Sequence, residues 1–192
     1  MRSEVASQVT GDSDADSDGP PRVVMIAAVA LAVAAVGGIL VLAATRHRTP
    51  QPVAIPAVAA PQAAAPACQA LLAALPGHLG DYQRVPVAPP APDGAAAWRA
   101  GREGEPVIMR CGLDRPAEFV AGSAIQFVDR VQWFEVAAQS AGERRSTWYT
   151  VDRPVYVALT LPAGSGPTPI QQLSEVIDRT LAQVPINPAP AG

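Results

Sequence analysis

The longest uninterrupted run of apolar positions is Val23 to Thr45, VVMIAAVALAVAAVGGILVLAAT, with no charged side chain in it. At ~1.5 Å rise per residue, a helix of this length crosses a hydrocarbon core of roughly 30 Å and pairs its backbone polar groups internally. The pattern therefore predicts a transmembrane helix over residues 23–45. A cleaved signal sequence has a shorter apolar stretch behind a basic segment, whereas this run follows an acidic one, so an uncleaved anchor is expected. The flanking basic residues tie, Arg2 and Arg22 against Arg46 and Arg48, so charge does not orient the helix. Ala30, Ala34 and Gly38 have the spacing that lets two helices approach closely, but in a helix this rich in Ala chance explains it better.

Beyond the helix the pattern changes twice. Residues 46–67, RHRTPQPVAIPAVAAPQAAAPA, are a Pro/Ala-rich spacer, because Pro lacks the N–H that helices and central strands use. From 68 to 184 apolar positions recur with the periods of regular structure. CQALLAALP sets Cys68, Leu71, Leu72 and Leu75 on one helical face before Pro76 ends the element. Tyr82 to Val87 reads as an edge strand, with Pro86 excluding a central place. Residues 88–104 read as loop, anchored by Trp98.

Four strands are then expected: Val107 to Cys111, Ser123 to Val128, Val131 to Ala138, and Thr147 to Leu161 interrupted at Asp152-Arg153-Pro154. In the last, Val155, Val157, Leu159 and Leu161 alternate with Tyr156, Ala158 and Thr160, so one face is buried. Short polar connections suit antiparallel pairing. Thr168 as N-cap and Pro169 at the first helical position open a closing helix, whose stripe is Ile170, Leu173, Ile177, Leu181 and Val184. Pro185 ends it, and 185–192 is expected to be a disordered tail. The fold class is α+β: an antiparallel sheet with N- and C-terminal helices packed on one face, behind a single transmembrane helix.

Charge narrows the functional classes. The chain carries 14 Arg, no Lys and a net charge of −3. Residues 1–22 hold five acids against Arg2 and Arg22, a polar tail expected to be disordered, with Ser13 and Ser17 as possible modification sites. From Arg46 onward 12 Arg balance 12 acidic residues, which leaves no basic face for nucleic acid.

The two cysteines are the most informative chemical pair. In a small domain outside the membrane, Cys68 and Cys111 have one intramolecular pairing available and a bridge is expected; the alternative is two buried thiols. The bridge and an extracytoplasmic domain go together. No metal or cofactor is expected, since a structural zinc site takes four Cys or His ligands and this region offers two distant Cys and His78. His78, in Pro-Gly-His-Leu-Gly, reads as a turn residue. No Gly-x-Ser-x-Gly elbow accompanies it, and Gly164-Ser165-Gly166 lacks the length and Lys of a phosphate loop. Asp114, Glu118, Asp129, Glu135 and Asp152 are carboxylates on which glycosidic chemistry would have to draw. Asp152 beside Arg153 reads first as a structural pair. Trp98, Trp133 and Trp148 suit packing better than a ligand cleft.

The segments CQALLAALP, VIMRCGLDRPAEF, VQWFEV, TWYTVDRPVYVALTLP and QLSEVI together resemble an actinobacterial domain-of-unknown-function family, number 3515. Arg110-Cys111-Gly112 and Thr150-Val151-Asp152-Arg153 are the most distinctive pieces, and both family cysteines match Cys68 and Cys111. The family pattern has Asn-Gly where this chain has Asp129-Arg130, a departure that weakens the expectation of a tight hairpin there. The resemblance implies a membrane-anchored protein of the cell envelope and supplies no activity or catalytic residue. The expected function is a non-enzymatic binding or scaffolding domain in the bacterial envelope, with the lipid bilayer and cell-wall or other envelope proteins as partners. A carboxylate-dependent enzyme acting on cell-wall precursors is the alternative.

Overall fold

The computed structural model describes residues 22–45, 51–136 and 145–191. The expected acidic tail through Pro21, residues 46–50 of the spacer, and residues 137–144, with the end of the strand expected through Ala138, lie outside the described residues. The chain divides into two units, residues 1–49 and 50–192.

The first unit is helix α1, Arg22–Thr45. Its side chains are exposed throughout Arg22–Leu42, where the mean hydropathy is 2.8. By length and composition α1 can cross a membrane, a property that signal sequences share.

The second unit is one eight-stranded antiparallel sheet with two helices on one face. Helix α2, Pro66–Ala74, precedes β1 (His78–Leu79), β2 (Tyr82–Val85), β3 (Ala95–Arg99) and β4 (Pro106–Leu113). Strands β5 (Gln126–Val128), β6 (Val131–Val136), β7 (Arg145–Thr150) and β8 (Tyr156–Pro162) follow, then helix α3, Thr168–Thr180. The strand order is β1-β2-β3-β4-β8-β7-β6-β5. Two four-stranded meanders are thus joined through their last strands, β4 and β8, which pair at the centre of the sheet. Alternation decides the rest: Val107, Met109 and Cys111 of β4 and Val157, Leu159 and Leu161 of β8 face α2 and α3, where Leu71, Leu173 and Ile177 complete the core.

Four elements depart from the sequence pattern, the first being β2, which is expected at an edge through Val87 but ends at Val85, before Pro86, and pairs with β1 on one side and β3 on the other. Strand β3 lies within the expected loop 88–104; Ala-Ala-Ala-Trp-Arg has weak strand propensity, and pairing with β2 and β4 supplies what propensity does not. Trp98 on it is fully buried and donates from its indole to the Pro76 carbonyl at 3.0 Å. Strand β5 is three residues rather than six, yet the β5–β6 hairpin is tight, with Val128 opposite Val131 across Asp129-Arg130. Asp129 takes φ 53°, a conformation that Asp tolerates better than most residues. At the last helix, Pro167 is the N-cap, Thr168 lies inside the first turn, and no side chain caps it. The stripe Ile170, Leu173, Ile177 and Leu181 is buried; Val184 is only half-buried beyond the helix end.

The expected spacer and tail both contribute to the domain. Within residues 51–65, Val53 and Ile55 are buried against Val85, Ala97 and Ile108 on the sheet's second face. Backbone bonds hold this segment: Val53 N–H to the Pro86 carbonyl at 2.9 Å, Ala88 N–H to the Val53 carbonyl at 2.8 Å, and Gln62 N–H to the Gly112 carbonyl at 3.0 Å. Proline prevents a helix here but permits extended chain, and the few apolar residues between the prolines pack on the sheet. In the tail, the Ala121 N–H donates to the Ala189 carbonyl and the Ala189 N–H to the Phe119 carbonyl, at 2.8 and 3.0 Å.

Gly112 sits where the 51–65 segment crosses β4. Its φ is 87°, and a Cβ there would run into the backbone of Gln62 and Ala63. Gly112→Ala is therefore expected to lower stability by ~2 kcal/mol or more and to expose residues 51–65 to proteolysis. An unchanged melting temperature and cleavage pattern would show that this crossing carries no stability.

Candidate functional site

The sequence-predicted residues fall into two separate groups. Cys68 on α2 and Cys111 on β4 form a disulfide, with Cα atoms 5.6 Å apart. Both are fully buried in the main core. Helical periodicity turns Cys68 inward with Leu71, and strand alternation turns Cys111 toward the same layer, so the two sulfurs meet without distortion of either pattern.

Asp152 and Arg153 lie in the β7–β8 connection and are buried. Arg153 Nη1 stands 3.9 Å from Asp152 Oδ2. Arg153 Nη2 donates to the Arg130 carbonyl at 2.7 Å and to Asp178 Oδ1 at 3.3 Å. Asp178 also meets Arg130 Nε, through Oδ2 at 3.5 Å. The Asp152 carbonyl accepts the Val184 N–H at 2.9 Å. Four charged groups thereby tie the β5–β6 turn, the β7–β8 connection and α3 together. Thr150 closes the same connection: its hydroxyl accepts the Val157 N–H at 3.0 Å and donates to the Val155 carbonyl at 3.5 Å. Burial pushes the Asp152 carboxyl above the ordinary carboxylate range, while polar groups of Gln132 and the Arg153 charge pull the other way.

The other candidates do not converge. Asp114, Glu118, Asp129 and Glu135 are exposed on different elements, as is His78 at the start of β1. Among the described residues no three His, Cys, Asp or Glu side chains are grouped so as to hold a metal. Trp133 is fully buried and donates to Ser174 Oγ at 2.9 Å. Trp148 is different. It is half-buried, donates to Ser146 Oγ at 3.0 Å, and lines an open cleft of about 470 Å³ with Arg145, Leu161, Gly164, Pro167 and Ile170. The cleft lies between the β7–β8 ends and the loop entering α3. Sequence reasoning treated the β8–α3 loop as a failed phosphate loop and missed its role as a wall; Pro167 and Pro169 also remove two N–H groups that would otherwise face an anion there.

The family described as Protein of unknown function (DUF3515) matches residues 29–186, from inside α1 to beyond α3. No curated protein matches the chain, and no solved structure does.

The raised Asp152 carboxyl has a measurable consequence. A folded-state pKa above the unfolded value favours the fold most below the ordinary carboxylate range, and that contribution is lost as pH rises through the raised value. Asp152→Asn, uncharged throughout, is expected to gain stability relative to the wild type as pH climbs above the ordinary carboxylate range. Parallel pH profiles of the melting temperature for the two proteins would contradict this.

Proposed function

We propose that this chain, which belongs to the DUF3515 family of proteins of unknown function, is a single-pass membrane protein displaying a binding or scaffolding domain on the outer side of the membrane. The observation that carries the reading is the coexistence of an unburied apolar helix and a buried disulfide in one chain. An apolar helix with Val23, Ile26 and Leu31 each more than two-thirds exposed needs a lipid phase or another apolar surface to cover it. The disulfide belongs in an oxidising compartment, because cytosolic thiols are held reduced. Together they favour a lipid anchor with the domain facing away from the cytosol, in the bacterial envelope.

A binding role is preferred to catalysis for a structural reason. Asp152 is buried and engaged with Arg153, and the network around it joins three elements of the fold. A carboxylate buried behind this network has no surface to offer a cell-wall precursor. The partners of the domain are then wall fragments or other envelope proteins.

The reading is tested by affinity purification from detergent-solubilised membranes, comparing the full chain with one that ends at Thr49. The full chain is expected to recover a specific envelope protein or wall fragment that the helix-only control does not. Identical recoveries from both would contradict a binding domain.

A further inference from the structure

The second face of the sheet carries two separate apolar covers, and the strip between them is only partly exposed. Val53 and Ile55 lie over β2, β3 and β4, and Phe119 packs on Phe134 of β6 with ring centroids 5.3 Å apart. Between these covers, strand register sets Arg110 of β4 opposite Ala158 of β8, and Ala158 opposite Tyr149 of β7. Residues directly opposite one another share a face, so the three form one row across the central strands. A small floor residue stands between two long polar side chains. The neighbouring row holds Ile108, Thr160 and Thr147, with the two threonine hydroxyls 3.1 Å apart. Arg110, Tyr149, Thr147 and Thr160 are half-buried, and Ala158 is buried.

Arg110 is the unusual member of this row. Its Nε is buried without a hydrogen-bond partner. Among the described residues its guanidinium makes one long hydrogen bond, from Nη2 to the Pro56 carbonyl at 3.5 Å, and no salt bridge to an acid. A guanidinium remains charged in proteins, and burying a cation without a counter-charge is costly. Burial pulls the Arg110 pKa down, and nearby Tyr149 opposes the shift. The Tyr149 hydroxyl is pushed up by burial and by Glu118, against the pull of Arg110, so near neutral pH it keeps its proton and can donate.

We propose that Arg110 and Tyr149, across the Ala158 floor, form a receptor notch for a single carboxylate group of a small ligand or peptide end. The guanidinium supplies paired N–H donors matched to two carboxylate oxygens, and the phenol adds a third. Arg110 is the one cation of this row, a single positive charge that one carboxylate balances and a doubly charged phosphate does not. This proposal rests on the reading of the domain as a binding module and names the ligand chemistry of one face.

The test uses the full chain in detergent micelles, with saturation-transfer NMR of N-acetyl-glycyl-alanine and of the same peptide carrying a C-terminal amide. The acid is expected to receive saturation and the amide not. Affinity for the acid is expected to fall about tenfold or more in Arg110→Gln and several-fold in Tyr149→Phe. Inorganic phosphate, followed by broadening of its phosphorus signal, should bind more weakly than the acid. Equal saturation of acid and amide in the wild type would overturn the proposal without recourse to any variant. Tighter binding of phosphate, or acid binding unchanged in a folded Arg110→Gln, would overturn it as well. None of these failures touches the co-purification test of the domain's wider role.

Discussion

The Cys68–Cys111 disulfide lies where four parts of the domain meet. It fixes α2 to β4; the Cys111 N–H donates to the Gly94 carbonyl, Cys111 pairs with Val157 of β8, and the next residue, Gly112, accepts the 51–65 segment through Gln62. Cross-linking residues 43 apart removes roughly 4 kcal/mol of chain entropy from the unfolded state in the simplest model. That is a large share of the ~5–15 kcal/mol by which domains are stable. Helix α2 has nine residues, too few to persist alone, and carries no side-chain cap. The bridge and the contacts of Leu71 hold it on the sheet.

From this hub the two halves of the sheet are stabilised differently. The β1–β4 meander is clamped by apolar contacts, with helices on one face and Val53 and Ile55 on the other. The β5–β8 meander is tied at its turn end by charge, through Arg130, Arg153 and Asp178. A network of this kind, anchored on the buried Arg153, contributes little net stability but is costly to break at that member, which suits a device that fixes how α3 meets two turns. Central strands packed on both faces leave few positions where a polar group can reach solvent. Arg110 is one of them, and its poor satisfaction stands out against the packed core around it.

Much of this was legible in the sequence because the strongest signals are periodic. The apolar run of α1 follows from its length and composition, and the alternation in Val155 to Leu161 and the stripe of α3 follow from side-chain direction. The two cysteines identified their own pairing by being the only two. The docking of residues 51–65 was not legible, because Pro/Ala composition describes a free stalk and an extended segment laid on a sheet equally well. Strand β3 was hidden by its alanines, and the tail around Ala189 by having no pattern of its own. Arg110 did leave a signal: a charged residue in the middle of Val-Ile-Met-Arg-Cys breaks an otherwise buried strand. Its significance depends on Ala158 and Tyr149, which only the register of β4, β8 and β7 brings beside it.

Both the architecture and the proposed outward placement of the domain depend on a disulfide that exists in the cell. The most direct measurement is its redox state in growing cells. Cells are quenched in acid and the protein denatured, because both sulfurs are buried in the fold. Free thiols are then blocked, and the chain is reduced and tagged with a polymer-linked maleimide. Both cysteines are expected to escape the block and to take up two tags, only after reduction. Complete blocking before reduction would mean free thiols in a reducing compartment, and would contradict both the staple and the envelope location.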